Sequence, residues 1–176
     1  MNSKKKWIRE SDEVFFCSNM LEFVDQDVVA SLKEKARETP RRRARLCLHV
    51  DPDQALHQML IVHPADAYVR PHMHLSRDET FQIVEGRATL FIFDEKGRWR
   101  EQTMGQIESG KPFMTLIPKG VFHAIRIESP VLVFLESTCG PFNKADLVEA
   151  PWSPEPSDKE NVEVFLEKLR NSNGRT

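Results

Sequence analysis

Cysteine is scarce in this chain. Cys17, Cys47 and Cys139 are the only three in 176 residues. They are odd in number and widely scattered, which argues against a disulfide framework and fits a reducing compartment. Nothing local makes any of them a nucleophile or a metal ligand. Long apolar runs are absent too. No segment approaches the roughly 20 apolar residues of a membrane span. The start, M-N-S-K-K-K-W-I-R-E-S-D-E, is basic but has no apolar stretch after it, so no secretory leader is expected. A cytoplasmic protein without a membrane partner is the expectation. Nor is there an excess of one charge. The 25 Lys and Arg against 27 Asp and Glu leave a formal net charge of -2, which gives no global pull toward nucleic acid. There is no P-loop, no G-x-G-x-x-G and no internal repeat.

What is present is an ordinary globular composition, 40% hydrophobic and 30% charged, at a length that can bury a core in one domain. Within it, one stretch carries chemistry: Y-V-R-P-H-M-H-L-S-R-D-E-T-F-Q-I-V-E-G, Tyr68 to Gly86. His72 and His74 are two apart. On a strand that puts them on one face, roughly 7 Å apart at the backbone. A helical pair would need i, i+4 spacing. Glu79 has the opposite parity to His74, but Leu75-Ser76-Arg77-Asp78 reads as a turn. Glu79 can then return on the next strand, sharing a face with Phe81 and Ile83. Gly86 closes that strand. Downstream, P-K-G-V-F-H makes a second turn and launches a strand on which Val121, His123, Ile125 and Ile127 share a face. His123 is the one polar group on that face. Three His and one Glu are a metal-ligand set.

The pattern H-x-H-x4-E-x6-G followed by P-x-G-x2-H resembles the two motifs of the cupin superfamily. Three further stretches, R-R-R-A-R-L-C-L-H at 41–49, A-Y-V-R-P-H-M-H at 67–74 and C-G-P-F at 139–142, look like the WbuC family of cupin-fold metalloproteins. This similarity covers about residues 25 to 155. It implies a cupin jelly-roll barrel, metal ligands His72, His74, Glu79 and His123, and an association with bacterial surface-polysaccharide genes. By the same analogy a homodimer is expected. Two positions depart from the cupin pattern: Asp66 stands where a glycine is usual and Ile127 where an asparagine is.

The remaining segments fit an all-β barrel with one helix near each end. Residues 1–40 read as an extension with a helix, 41–150 as the barrel, and 151–176 as a proline-rich segment plus helix, all in one domain. Val14-Phe15-Phe16-Cys17 is a predicted strand. Asp25 or Asp27 caps a helix through about Glu38 with Val28, Leu32 and Ala36 on one side, and Thr39-Pro40 ends it. Residues 41–50 are a predicted strand, with Arg43, Arg45, Cys47 and His49 on one face and Ala44, Leu46, Leu48 and Val50 on the core face. The arginines either face solvent or a partner, or Arg45 and His49 border the pocket and meet an anionic substrate. Tyr68 and Arg70 share parity with His72 and His74, so either they line the barrel beside the metal and orient an oxygen-rich ligand, or Tyr68 packs and Arg70 pairs with a buried acid. Val131 to Glu136 is an apolar strand, with Glu136 either simply at its end or reaching the pocket mouth. Ser157-x-x-Glu160 is a capping box for a helix reaching about Arg170, and Asn173-Gly174 ends it.

Three imidazoles and one carboxylate suit one divalent transition metal, Fe, Mn, Ni, Co, Cu or Zn, rather than Ca or Mg. Four protein ligands leave open positions, as catalytic metals do. The expected function is action on a small, anionic or sugar-like molecule, with isomerisation or epimerisation through a metal-stabilised enediolate. The alternatives are Fe(II)-dependent oxygenation, non-catalytic ligand binding, and a metal that merely staples the barrel.

Overall fold

Turn residues at short intervals break the chain into strands too short to stand alone, and these pair into two sheets. The computed structural model describes residues 7–18 and 21–171. The expected helix end at Asn173-Gly174 lies outside them. In chain order the strands are β1 Ile8–Arg9, β2 Val14–Phe16, β3 Ala44–Cys47, β4 Leu56–Pro64, β5 His72–His74, β6 Glu79–Glu85, β7 Arg87–Phe93, β8 Trp99–Gly105, β9 Met114–Ile117, β10 Phe122–Ile127, β11 Val131–Cys139 and β12 Leu147–Glu149. Helix α1 spans Gln26–Glu38 and α2 spans Lys159–Asn171. One sheet has the order β1-β2-β3-β4-β11-β6-β9 and the other β12-β5-β10-β7-β8. From β4 to β7 and from β8 to β12 consecutive strands alternate between the sheets, as in a jelly roll, and among the described residues only β2 and β3 pair in parallel.

The space between the sheets is filled by Met59, Ile61, Phe81, Ile83, Leu90, Ile125, Ile127, Leu132 and Phe134, drawn from both. A second apolar layer lies outside the larger sheet. There α1 lays Val28, Leu32 and Ala36 over Ala44, Leu46, Leu60, Val62 and Val133. Burying Val28 and Leu32 stabilises the fold by about 1.5–3 kcal/mol each. Asp25 caps this helix by accepting from the Val28 amide at 3.0 Å. β3 is therefore buried on both sides. Its apolar face meets α1, and its other face, with Arg45 and Cys47, looks into the barrel. The strand covers only four of the ten residues expected, because Arg41 and Arg43 are drawn off to Glu13.

The C-terminal segment crosses the smaller sheet. β12 adds to β5 in the register Leu147↔His74 and Glu149↔His72. Trp152 then packs against Phe93 and Phe122, with Phe165 of α2 beside it. The cap of α2 is Asp158, whose carboxylate accepts from the Asn161 amide at 3.2 Å, and not the expected Ser157. Gly86, between β6 and β7, has φ +89°, and a Cβ there would stand 2.4 Å from the Val131 carbonyl. Only glycine makes that turn without displacing β11.

Candidate metal centre

β5 and β10 are neighbours, and His72 pairs with His123 across them. Cross-strand partners share a face, so both rings point into the barrel with centroids 4.5 Å apart. His74 follows two residues later on the same face. Glu79 opens β6 in the facing sheet. The turn before it is pinned at Asp78: its carbonyl accepts from Thr138 Oγ1 at 2.7 Å and its carboxylate from the Lys119 amide at 2.9 Å. Glu79 is thereby held with one oxygen 2.7 Å from His123 Nε2 and the other 3.2 Å from His74 Nε2. His72, His74 and Glu79 each offer a ligand atom within 4.8 Å of the others.

The opposite ring nitrogens are all engaged. His72 Nδ1 lies 2.8 Å from the Arg70 carbonyl and His123 Nδ1 3.0 Å from the Val121 carbonyl. His74 Nδ1 accepts from Arg77 Nε at 3.5 Å and lies 3.3 Å from Asp146 Oδ2. The carbonyls at Nδ1 of His72 and His123 hold a proton there and leave Nε2 as the atom that can ligate a metal; with no metal bound, Nε2 of His123 and of His74 donates to Glu79. Three imidazoles thus turn Nε2 toward one carboxylate, and this second layer of carbonyls and carboxylate is what metal-binding histidines characteristically carry. The donor set and its orientation fit a divalent transition metal.

Electrostatics agree. Burial pushes the His72 imidazole down to about 4, with His123 adding to the effect, so it is neutral near pH 7. Burial opposes ionisation of Glu79, but hydrogen bonds with His123 and His74 outweigh it and hold Glu79 well below the usual carboxylate range. Burial likewise opposes the charged Asp146. Hydrogen bonds from Ser76, and the Arg77 guanidinium 2.9 Å away, hold its pKa down.

The other expected site residues disperse. Tyr68 and Arg70 face the C-terminal segment and not the metal centre. Tyr68 donates its hydroxyl proton to the Pro154 carbonyl at 3.1 Å, and Arg70 pairs with Glu155 at 2.8 Å and with Glu149 and Ser153. The parity argument fails because strand geometry begins only at His72. Pro71 interrupts it, and Val69, not Tyr68, packs against the barrel interior. His49 stacks on His57 at 4.0 Å, edge-on to Phe16, and shares its Nδ1 with the Gln58 backbone. It sits in a groove with Leu48, Gln54 and Gln58, and burial lowers its pKa to about 4. Arg45 does enter the barrel, paired across the sheet with Ile61.

Two residues near the centre sit where the sequence alone does not fix them. Glu136 is not at a strand end, since β11 runs on to Cys139. It pairs with Met59 and Phe81, so it faces the interior. Burial and the charge of Glu79 raise it to about 7. Its even spacing with Leu132 and Phe134 was the available signal. Asp146 had none, because its place beside His74 depends on β12 reaching β5 from seventy residues away.

Comparison with known proteins places this geometry. A family model described as a domain of unknown function, DUF6016, matches residues 24–104, a little under half the chain. No curated protein matches. Among solved structures, CapF bound to 3-isopropenyl-tropolone aligns with a TM-score of 0.53 at 16% identity, over 64% of this chain and 32% of that one. CapF from Staphylococcus aureus, a capsular polysaccharide assembling protein, aligns at 0.47 and 16%, over 56% and 27%. Oxalate decarboxylase from Bacillus subtilis aligns at 0.49 and 20%, over 76% and 35%. The chain spans about a third of the length of these neighbours. Its two sheets and the alignment at a TM-score of 0.53 show the fold: a jelly-roll barrel of the cupin type.

Proposed function

We propose that this cupin holds one divalent transition metal on His72, His74, Glu79 and His123, and acts on a small oxygen-rich molecule inside the barrel. The observation that carries this is the set of three imidazoles with Nδ1 engaged and Nε2 turned toward Glu79. A bound metal would supply Lewis-acid polarisation of adjacent ligand oxygens. The protein's own part is to hold the imidazoles in place, with His72 neutral, and to offer Glu136 as a carboxyl able to hold or release a proton near pH 7. Sugar or sugar-nucleotide isomerisation or epimerisation in surface-polysaccharide synthesis is the reaction class, supported by the resemblance to the WbuC family. One domain, a cytoplasmic location and a homodimer complete the reading. Free thiols at Cys47 and Cys139 agree with the location. Exposed Met114 and Leu116 on the sheet edge at β9 agree with a self-pairing face.

The experiment is turnover of a panel of sugars and sugar nucleotides by metal-loaded protein, beside Glu136→Gln. Interconversion of isomers, lost in the variant, supports the reading. Oxygen consumption with Fe(II) would replace it by oxygenation, and ligand binding without turnover would replace it by a binding role.

A further inference from the structure

Arg45 is the odd arginine of this fold. The other half-buried arginines, Arg42, Arg43, Arg70, Arg77 and Arg126, each meet a carboxylate. Arg45 meets none among the described residues. It lies on the inner face of β3, its Nη1 is 3.9 Å from Met59 Sδ, and its Nε is buried without a partner. A buried guanidinium N–H with nothing to bind is costly, so folds rarely keep one idle. Glu136, the nearest interior acid by register, makes no salt bridge with it either. Glu136 pairs across β11 with Met59, the residue that Arg45 reaches over. It also feels the charges of Arg45 on one side and of Glu79, His74 and His123 on the other. The interior therefore runs from the candidate metal centre, past Glu136, to an unpaired guanidinium. Arg45, Glu136 and His72 all point inward and are each half-buried.

We propose that Arg45 is the anchor for a terminal oxyanion, carboxylate or phosphate, of an oxygen-rich ligand whose hydroxyl end lies toward the metal centre. The inference rests on the metal-centre reading for the position of the hydroxyl end. Charge balance sets the polarity. A divalent cation with Glu79 and ionised Glu136 sums to zero, which leaves Arg45 as the uncompensated charge on that line. An anionic terminus is attracted to Arg45 and repelled by Glu136, so a sugar acid or sugar phosphate enters with one orientation. A guanidinium offers both oxyanions paired donors, which an ammonium does not.

The test is calorimetric titration of the full chain as purified with glucuronate, glucose 6-phosphate and glucose, beside Arg45→Gln and Arg45→Lys, with metal content measured on every sample. At least one of the two anions binds, glucose binds ten-fold or more weaker, Arg45→Gln loses ten-fold or more, and Arg45→Lys falls between with unchanged metal. The anion that binds tells carboxylate from phosphate. If Arg45→Gln does not fold, the conservative Arg45→Lys alone decides by its loss of affinity. Equal binding of glucose, or wild-type affinity in the Arg45 variants, would overturn the anchor. Metal-loaded protein that binds neither anion overturns it as well while the metal reading stands. Metal-free protein that binds an anion through Arg45 does the reverse.

Discussion

Asp146 Oδ2 lies 3.3 Å from Nδ1 of His74 and 2.9 Å from Nε of Arg77. The carboxylate arrives on the segment just before β12, and its other oxygen accepts from the Ser76 amide at 2.7 Å. The C-terminal crossing therefore does more than cover the smaller sheet. It brings a carboxylate, and the Arg77 guanidinium paired with it, against the ring of a candidate ligand.

Removing that charge should be felt at the metal. Asp146→Asn keeps the shape but loses the anionic acceptor, and such outer partners are worth about 10–100-fold in metal affinity. Competition against a chelator of known affinity measures this. Wild-type affinity in the variant would show that Asp146 serves only the Ser76 turn.

Glu13 should be the most costly surface-proximal acid to truncate. It is 7% exposed and takes Arg41 at two contacts and Arg43 at 2.7 Å, joining the first strands to the start of β3. Glu13→Ala leaves Arg43 partly buried and unpaired. With allowance for the solvent that still reaches the arginines, the loss is about 2–3 kcal/mol by urea unfolding. Truncating Arg98, whose pair with Asp94 is exposed, costs about 0.5 kcal/mol or less. Equal losses for the two would contradict the difference in burial.

His63 should make the fold acid-sensitive. Burial, with Arg43 nearby, lowers its pKa from 6.5 to about 4, and its ring stacks on Phe134. The unfolded chain takes up this proton first as pH falls. Stability is therefore full above about pH 6.5 and declines down to about pH 4, by about 2 kcal/mol already at pH 5. His63→Leu should flatten that limb between pH 7 and 5 in urea titrations. An unchanged slope would place the acid sensitivity elsewhere.

The ligand spacing was legible because it is local. Period two put His72 and His74 on one face, and the turn at 75–78 returned Glu79. The helix at 26–38 was legible from its cap and its apolar stripe. The parity of Tyr68 and Arg70 was misleading, since Pro71 ends the regular strand and the C-terminal segment captures both side chains. The inner position of Arg45 was open in sequence, because β3 is buried on both faces and only the placement of α1 decides which side is inside. Glu136 had only its even spacing with Leu132 and Phe134 to mark it as inward, and Asp146 depends on register between distant strands, which no local pattern reports.

The central claim is that the three imidazoles and Glu79 hold a metal. Elemental analysis of the untagged protein as purified, beside His72→Ala/His74→Ala, tests it most directly. About one equivalent of a divalent transition metal in the wild type, with background in the double variant, is the expected result. Equal metal in both proteins, or none in the wild type after reconstitution, would contradict it.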